Sequence, residues 1–528
     1  MDTPYMVSES QYLPAIVPPT RGLPKKYSKT SLSSAISPVA MPYEQQLVSY
    51  PSIPQSNSYS DNTYTSSETT EPLSYRFSLP KSFVGPLEPN NLLSQATRLF
   101  EGQILGPTSL AIHRDFIYAG TAGGGVFRGN LRTGNSTRIA KIANEFCDNK
   151  PWDSSVCGRP LGVRVDSTGT LYFVDAYLGL HVIEFVDNQV KLNRLLSLEQ
   201  VGGKYMGHLV IDEGAGSAGG HVVYVTIASS KRDLMQWTAM IIEPDTSGFV
   251  VKYDTDTGNY EIIWSNLWYP ASIEITDDRM GLLVAEFTTR RVLKHYIKGA
   301  KKGTTEVWAE NLPGEADHLI RSLDKTRETY WMPIINARNE SATNLLDWMS
   351  DKPYLRQEIL EKYSKLGSSV EEMGQQYKNE MLEKLGFTIK SAQQFYTQNI
   401  QNNYGMILEL DANGNIIGSL HSQNGVNSFI SEAIEGYSDT PDERVLYIGS
   451  FGYPYILKLV VKKPIYDLPV FNTLRGEESA YDLDPKQGVQ YTAYTKPYTF
   501  DDELKFVDIP TLLKSWPTLQ TTEIKTNN

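Results

Sequence analysis

The chain lacks the short motifs that would point straight to a catalytic apparatus. Its 528 residues contain no CxxC, no HExxH and no GxSxG, which excludes a dithiol redox pair, a helix-borne zinc peptidase site and a serine nucleophile elbow. No stretch of about 18 apolar residues occurs, so no membrane-spanning helix is expected. The N-terminus also has no apolar core of the kind a secretory signal requires. Positive charge is scarce: 49 Lys and Arg against 61 Asp and Glu leave a formal net charge of -12. Without a dense basic stripe, nucleic acid is not expected as a partner. The one short basic cluster, Arg21, Lys25, Lys26 and Lys29, reads as a solvated linker or a membrane-surface contact. Cysteine is nearly absent, with only Cys147 and Cys157. They are close enough in sequence to close a small loop, and equally compatible with two reduced thiols.

What is present is a chain long for one domain, with 40% hydrophobic residues, enough to bury a large core. Residues 1–75 are rich in Ser, Pro, Tyr and Thr without a sustained apolar period, and read as a disordered segment. Residues 464–528 mix Asp, Glu, Pro and Tyr with short apolar runs and read as a C-terminal extension. Between them, over 76–463, strand-like doublets recur every several tens of residues. They pair 116–120 with 125–128, 171–175 with 180–183, 222–226 with 249–253, 282–286 with 291–296, 329–333 with 406–410, and 445–449 with 455–459. Asp-, Asn- and Gly-containing turns follow several of them, which is hairpin chemistry. Six doublets predict an all-β fold, a six-bladed β-propeller.

One interval breaks the pattern. Over about 340–403 the apolar spacing changes from two to between three and four, which predicts a helical insertion in blade five. Leu355, Ile359, Tyr363 and Leu366 line one helix, and Val370, Met373, Tyr377 and Met381 a second. Gly367 is expected to end the first, with Ser368-Ser369-Val370-Glu371 as a capping box for the next. Such an insertion serves as a lid or flank on the propeller face, or as a partner-binding helix pair.

Several motifs fall in an order that names a family. Cys157-Gly158-Arg159-Pro160-Leu161-Gly162 leads into Leu171–Leu180, LYFVDAYLGL. Leu105–Ala111 resembles a GPESIA blade start, and Val284–Arg291 a VAETT strand followed by basic residues. Ile430-Ser431-Glu432 with Leu446–Phe451 resembles a last blade, and Asn344–Pro353 the opening of an insertion in animal members. Over about 75–460 the chain resembles the strictosidine synthase-like propellers, and their animal branch most closely.

The resemblance implies a disulfide between Cys147 and Cys157, and with it an oxidising compartment, secretory or extracellular. The missing signal and anchor point instead to the cytoplasm. Asn135 and Asn339 head sequons that are permissive for glycosylation. Two chemistries are implied. Plant synthases use a last-blade glutamate as general base, and Glu432 stands at that position. Distant lactonases and arylesterases hold calcium at the channel mouth as a Lewis acid. Here that ligand set is largely lost from the channel-lining positions: Thr108 replaces a glutamate, His208 an aspartate, and Ala271 an asparagine, while Asp317 survives and is followed by His318. Calcium is therefore expected from relatives but poorly provided for, and any metal would fall to Asp317 and His318, with His208 as a further imidazole ligand. Glu286 and Arg290 are expected to form a structural pair. The expected function is hydrolysis of small esters by an arylesterase- or lactonase-type propeller. The alternative is a catalytically degenerate scaffold that binds a small molecule or a protein.

Overall fold

The computed structural model describes residues 73–142, 153–186, 189–323, 327–341 and 344–462. The segments expected over 1–75 and 464–528 lie outside these residues, apart from Leu73, Ser74 and Tyr75, and Cys147 lies outside them as well.

Six antiparallel sheets form the body, one for each expected doublet. Blade one comprises Leu110–His113, Phe116–Gly120, Gly125–Asn130 and Ser136–Lys141, and blade two Pro160–Val165, Leu171–Asp175, Gly179–Val186 and Gln189–Leu196. Blade three comprises Tyr205–Asp212, Val222–Ser229, Gly248–Asp254 and Tyr260–Leu267, and blade four Pro270–Ile275, Gly281–Glu286, Arg291–Tyr296 and Thr305–Ala309. In blade five, Gly314–Ala316 and Ile320–Arg321 both pair with Thr329–Ala337, which is followed by Gly405–Asp411 and Ile416–Ser422. Blade six takes Glu432–Gly436, Glu443–Gly449 and Ile456–Lys462 from the end of the ring. Its outer strand, Thr97–Leu99, comes from the beginning and pairs with Ile456, Leu457 and Lys458. The molecule is a six-bladed β-propeller.

Local chemistry explains the hairpins. Asp166 accepts from the Thr168 and Thr170 amides, and Asp411 from the Asn413 and Asn415 amides, so one carboxylate organises each turn. Gly169 and Gly414 take the positive φ (98° and 82°) that completes the reversal. The inner strands, such as Leu171–Asp175, Val222–Ser229 and Gly281–Glu286, are buried on both faces because each blade is sandwiched between two others, whereas outer strands such as Gln189–Leu196 are largely exposed. Six apolar clusters lie at the six blade–blade contacts, for example Val174, Leu180 and Met206 with Val225 between blades two and three.

A seventh cluster joins the propeller to helices. Among the described residues these are α1 (Ser154–Cys157), α2 (Trp237–Ile242), α3 (Leu345–Met349), α4 (Pro353–Gln376), α5 (Glu380–Lys390) and α6 (Gln393–Asn399). Helices α2 to α6 pack on Leu161, Tyr205, Tyr269, Ala271, Phe287 and Ile335, which come from blades two to five. The insertion is thus a cap on the propeller. Asn344 caps α3 through the Leu346 amide, and Asp347 one turn later bonds both Arg290 and Arg338 of the propeller. The pair expected between Glu286 and Arg290 is not formed: Glu286 holds Arg291 at 2.6 Å, whereas Arg290 bonds Glu315 and Asp347. Arg290 closes the turn at φ 54°, whereas Arg291 opens the next strand directly opposite Glu286 and so takes the contact.

The expected helix break at Gly367 is also absent. Helix α4 runs through it, and Asn379 caps the next helix at Glu380. Gly367 sits where a Cβ would collide with the backbone of Lys390, and a Cβ on Gly386 would collide with that of Glu371. Both glycines serve close helix packing rather than termination. Consequently Met373, Tyr377 and Met381 do not form a buried face and stand 42%, 70% and 37% exposed.

Candidate functional site

The first strand of each blade borders the central channel, and several are irregular at the same level. Pairing shifts register between Pro160 and Gly162, between Met206 and Leu209, between Pro270 and Ser272, and between Gly314 and Ala316. Such bulges re-aim side chains and free backbone donors. The His208 amide is satisfied by Thr226 Oγ1 at 2.9 Å and the Val163 amide by Ser109 Oγ at 3.0 Å. Leu319, on the blade-five crossing, donates to Ser272 Oγ at 2.9 Å.

Around these irregularities Arg164, His208, His318 and Glu432 converge from blades two, three, five and six. Glu432 is fully buried. Its Oε2 accepts the Leu110 amide at 2.5 Å and its Oε1 accepts Arg164 Nη1 at 2.9 Å. Arg164 Nη2 lies 2.8 Å from His208 Nε2, and the His208 and His318 rings lie 4.2 Å apart. His318 faces a carboxylate on each side, with Nδ1 3.6 Å from Glu432 Oε2 and Nε2 3.6 Å from Asp317 Oδ1. Its Nδ1 is buried without a hydrogen-bond partner.

The charges follow from these contacts. Burial alone would push Glu432 up, but the Arg164 guanidinium and the adjacent His208 and His318 rings, 3.9 and 3.6 Å away, hold it well below the usual carboxylate range. Burial, reinforced by Arg164 and His318, holds His208 far below the usual imidazole value and so neutral. Asp317 is the outward member, with a side chain 17% exposed. Burial and the Glu432 charge outweigh His318 and push its carboxyl up to about 6. Tyr205 and Tyr269, whose hydroxyls are 3.3 Å apart, are both pushed upward by burial and by the nearby Asp317 charge.

Calcium requires six to eight oxygen ligands. Among the described residues, the group able to hold a metal is His208, His318 and Glu432, with ligand atoms within 4.8 Å of one another. That set offers one carboxylate, and both of its oxygens are already bonded, so it does not fit calcium. Two imidazoles and a carboxylate suit zinc. Arg164, however, directs a permanent positive charge at the His208 lone pair that a metal would need. The guanidinium stands where an ion would, as a tethered cation.

Of the residues singled out in the sequence, His208, His318 and Glu432 meet, and Asp317 adjoins them. Thr108 lies to one side, accepting Arg159 Nη2 at 2.7 Å, and Ala271 belongs to the apolar cluster under the cap. Sequence reasoning missed Arg164, Arg159, Tyr205 and Tyr269. A signal existed for Arg164: it is a charge between Val163 and Val165 in a strand otherwise apolar.

Comparison with known proteins agrees with this architecture. Profiles described as "Strictosidine synthase-like, N-terminal" and "Strictosidine synthase" match residues 85–129 and 217–300. Adipocyte plasma membrane-associated protein from Bos taurus is 32% identical over 391 residues, covering 74% of this chain and 84% of that protein. The chain belongs to the strictosidine synthase-like family. Hemomucin from Drosophila melanogaster is 26% identical to it over 412 residues, covering 78% of this chain and 68% of that protein. Among solved structures, a gluconolactonase from Xanthomonas campestris has a TM-score of 0.40 at 10% identity, covering 74% of this chain and 98% of that one, a likeness too slight to carry chemistry across. In this strictosidine synthase-like chain, the CGRPLG segment supplies Arg159 and leads directly to Arg164.

Proposed function

We propose that this propeller hydrolyses small esters or lactones beneath its helical cap, with Arg164 rather than a metal neutralising the buried carboxylate. The observation that supports this is the row Arg164–Glu432–His318–Asp317, which ends in a partly exposed carboxyl held near 6. A base of that strength is largely ionised at neutral pH and still accepts a proton readily. Asp317 takes a proton from water as the water oxygen attacks the ester carbonyl. It returns that proton to the departing alkoxide when the carbon–oxygen bond breaks. Glu432 lies against His318 and fixes its position, and the protonated Tyr205 and Tyr269 hydroxyls are donors for the developing oxyanion.

The test is turnover of aryl esters and lactones by the purified chain. Activity should survive chelator, rise with pH through about 6, and fall at least about 100-fold in Asp317→Asn. Full activity in Asp317→Asn, or loss of activity on chelation, contradicts the assignment. A second reading, a non-catalytic scaffold, is favoured by the exposed Met373, Tyr377 and Met381 on the cap. It predicts no turnover by the folded protein across the same substrate panel.

The Cys147–Cys157 bridge belongs to this proposal too. Cys157 is buried at the end of α1, and peptide mapping without reductant should recover the two cysteines in one linked fragment.

A further inference from the structure

We propose that Arg159 is an anchor for small carboxylates with an aromatic body, which names the ligand class of the hydrolytic site proposed above and rests on that reading. Arg159 is 2% exposed. Its guanidinium is held between two neighbours: the Phe451 ring centroid is 4.4 Å from Cζ, and a Cβ on Gly106 would lie 2.8 Å from Nη2. Glycine at 106 makes room for it. Nη2 donates to Thr108 Oγ1 at 2.7 Å and to the Phe451 carbonyl at 3.1 Å, whereas Nη1 is buried with no hydrogen-bond partner.

No carboxylate among the described residues forms an ion pair with this cation. Asp175 is a neighbour, but its Oδ2 accepts the Arg159 amide and its Oδ1 the Tyr177 and Leu178 amides. The other buried arginines of the fold, Arg290, Arg338, Arg356 and Arg444, all have carboxylate partners. Asp175 thus offers its charge at a distance but no contact, and a buried guanidinium with a nitrogen left unbonded is costly; an anion that reaches Nη1 removes the deficit.

Position links this cation to the reacting groups. Tyr205 feels the charges of both Arg159 and Asp317. Thr108, which holds Arg159 through Oγ1, accepts Ser431 Oγ at its carbonyl, and the Ser431 carbonyl accepts the His318 amide. One free nitrogen matches a single carboxylate oxygen better than a phosphate dianion, which calls for more than one positive charge. Tyr205, Tyr269 and Phe287 are in successive ring contact and Phe451 packs on the same cluster, so an aromatic body bound at Nη1 would have rings to lie against.

Benzoate, benzyl alcohol and inorganic phosphate, titrated separately into the full chain by calorimetry, test this. Benzoate should bind at one site and the other two should not, and Arg159→Gln should weaken benzoate by about 10–100-fold. Equal binding of benzyl alcohol, no benzoate binding, or undiminished binding in Arg159→Gln overturns the proposal. Should Arg159→Gln not fold, Phe451→Leu replaces it and should weaken benzoate while preserving its preference over benzyl alcohol; unchanged affinity there counts against the site. Asp317→Asn should retain benzoate binding while losing turnover, so this proposal and the hydrolytic one fail separately.

Discussion

Asp317 carries a charge that its surroundings disfavour. Its folded-state value of about 6 lies above the ~3.9 of an unfolded aspartate. Between those values the folded protein holds a proton that the unfolded chain has released, so this residue's contribution to stability falls as pH rises from about 4 to 6. Asp317→Asn removes that burden. Calorimetry should show the variant up to about 3 kcal/mol more stable at pH 7.5 and little changed at pH 4. Arg164 has the opposite role. Arg164→Met leaves Glu432 buried and unpaired, and should cost about 3–5 kcal/mol. It also bares the His208, His318 and Glu432 ligand set, so thermal denaturation with zinc should restore part of the loss in the variant and leave the parent protein unmoved. Glu432, His318 and Asp317 are legible in the sequence because motifs place them. Arg159 and Arg164 sit in or beside a motif just as plain, yet a strand written in one dimension does not show which charge meets which across the channel.

At the scale of elements, hairpins are easier to read than helix contacts. A hairpin is specified by neighbours in sequence, and the turns at Asp166 and Asp411 carry their own instructions. The cap is recognisable as helical from its spacing, but Gly367 has two opposite meanings in sequence, a terminus or a close crossing. Only the partner helix decides between them. Gly386→Ala should force α4 and α5 apart at Glu371 and cost about 1–3 kcal/mol. Circular dichroism should report retained helix while the melting temperature falls. An unchanged melting temperature would show that the crossing has room to give.

The whole molecule depends on how its ring is fastened. Three residue pairs, Thr97 with Lys458, Arg98 with Leu457 and Leu99 with Ile456, join the first strand to the last. Arg98→Pro interrupts this strand and should lower stability by about 1–3 kcal/mol, seen as a lower denaturation midpoint. No change in the midpoint would mean that the blade-to-blade apolar contacts close the ring unaided. The fastening also sets a schedule for synthesis. Thr97 leaves the ribosome roughly 360 residues before its partner strand, a wait of about 20–70 s at the usual ~5–20 residues per second. For that interval the nascent chain carries an unmatched strand and a row of blades open at one end, the period in which a chaperone has most to protect.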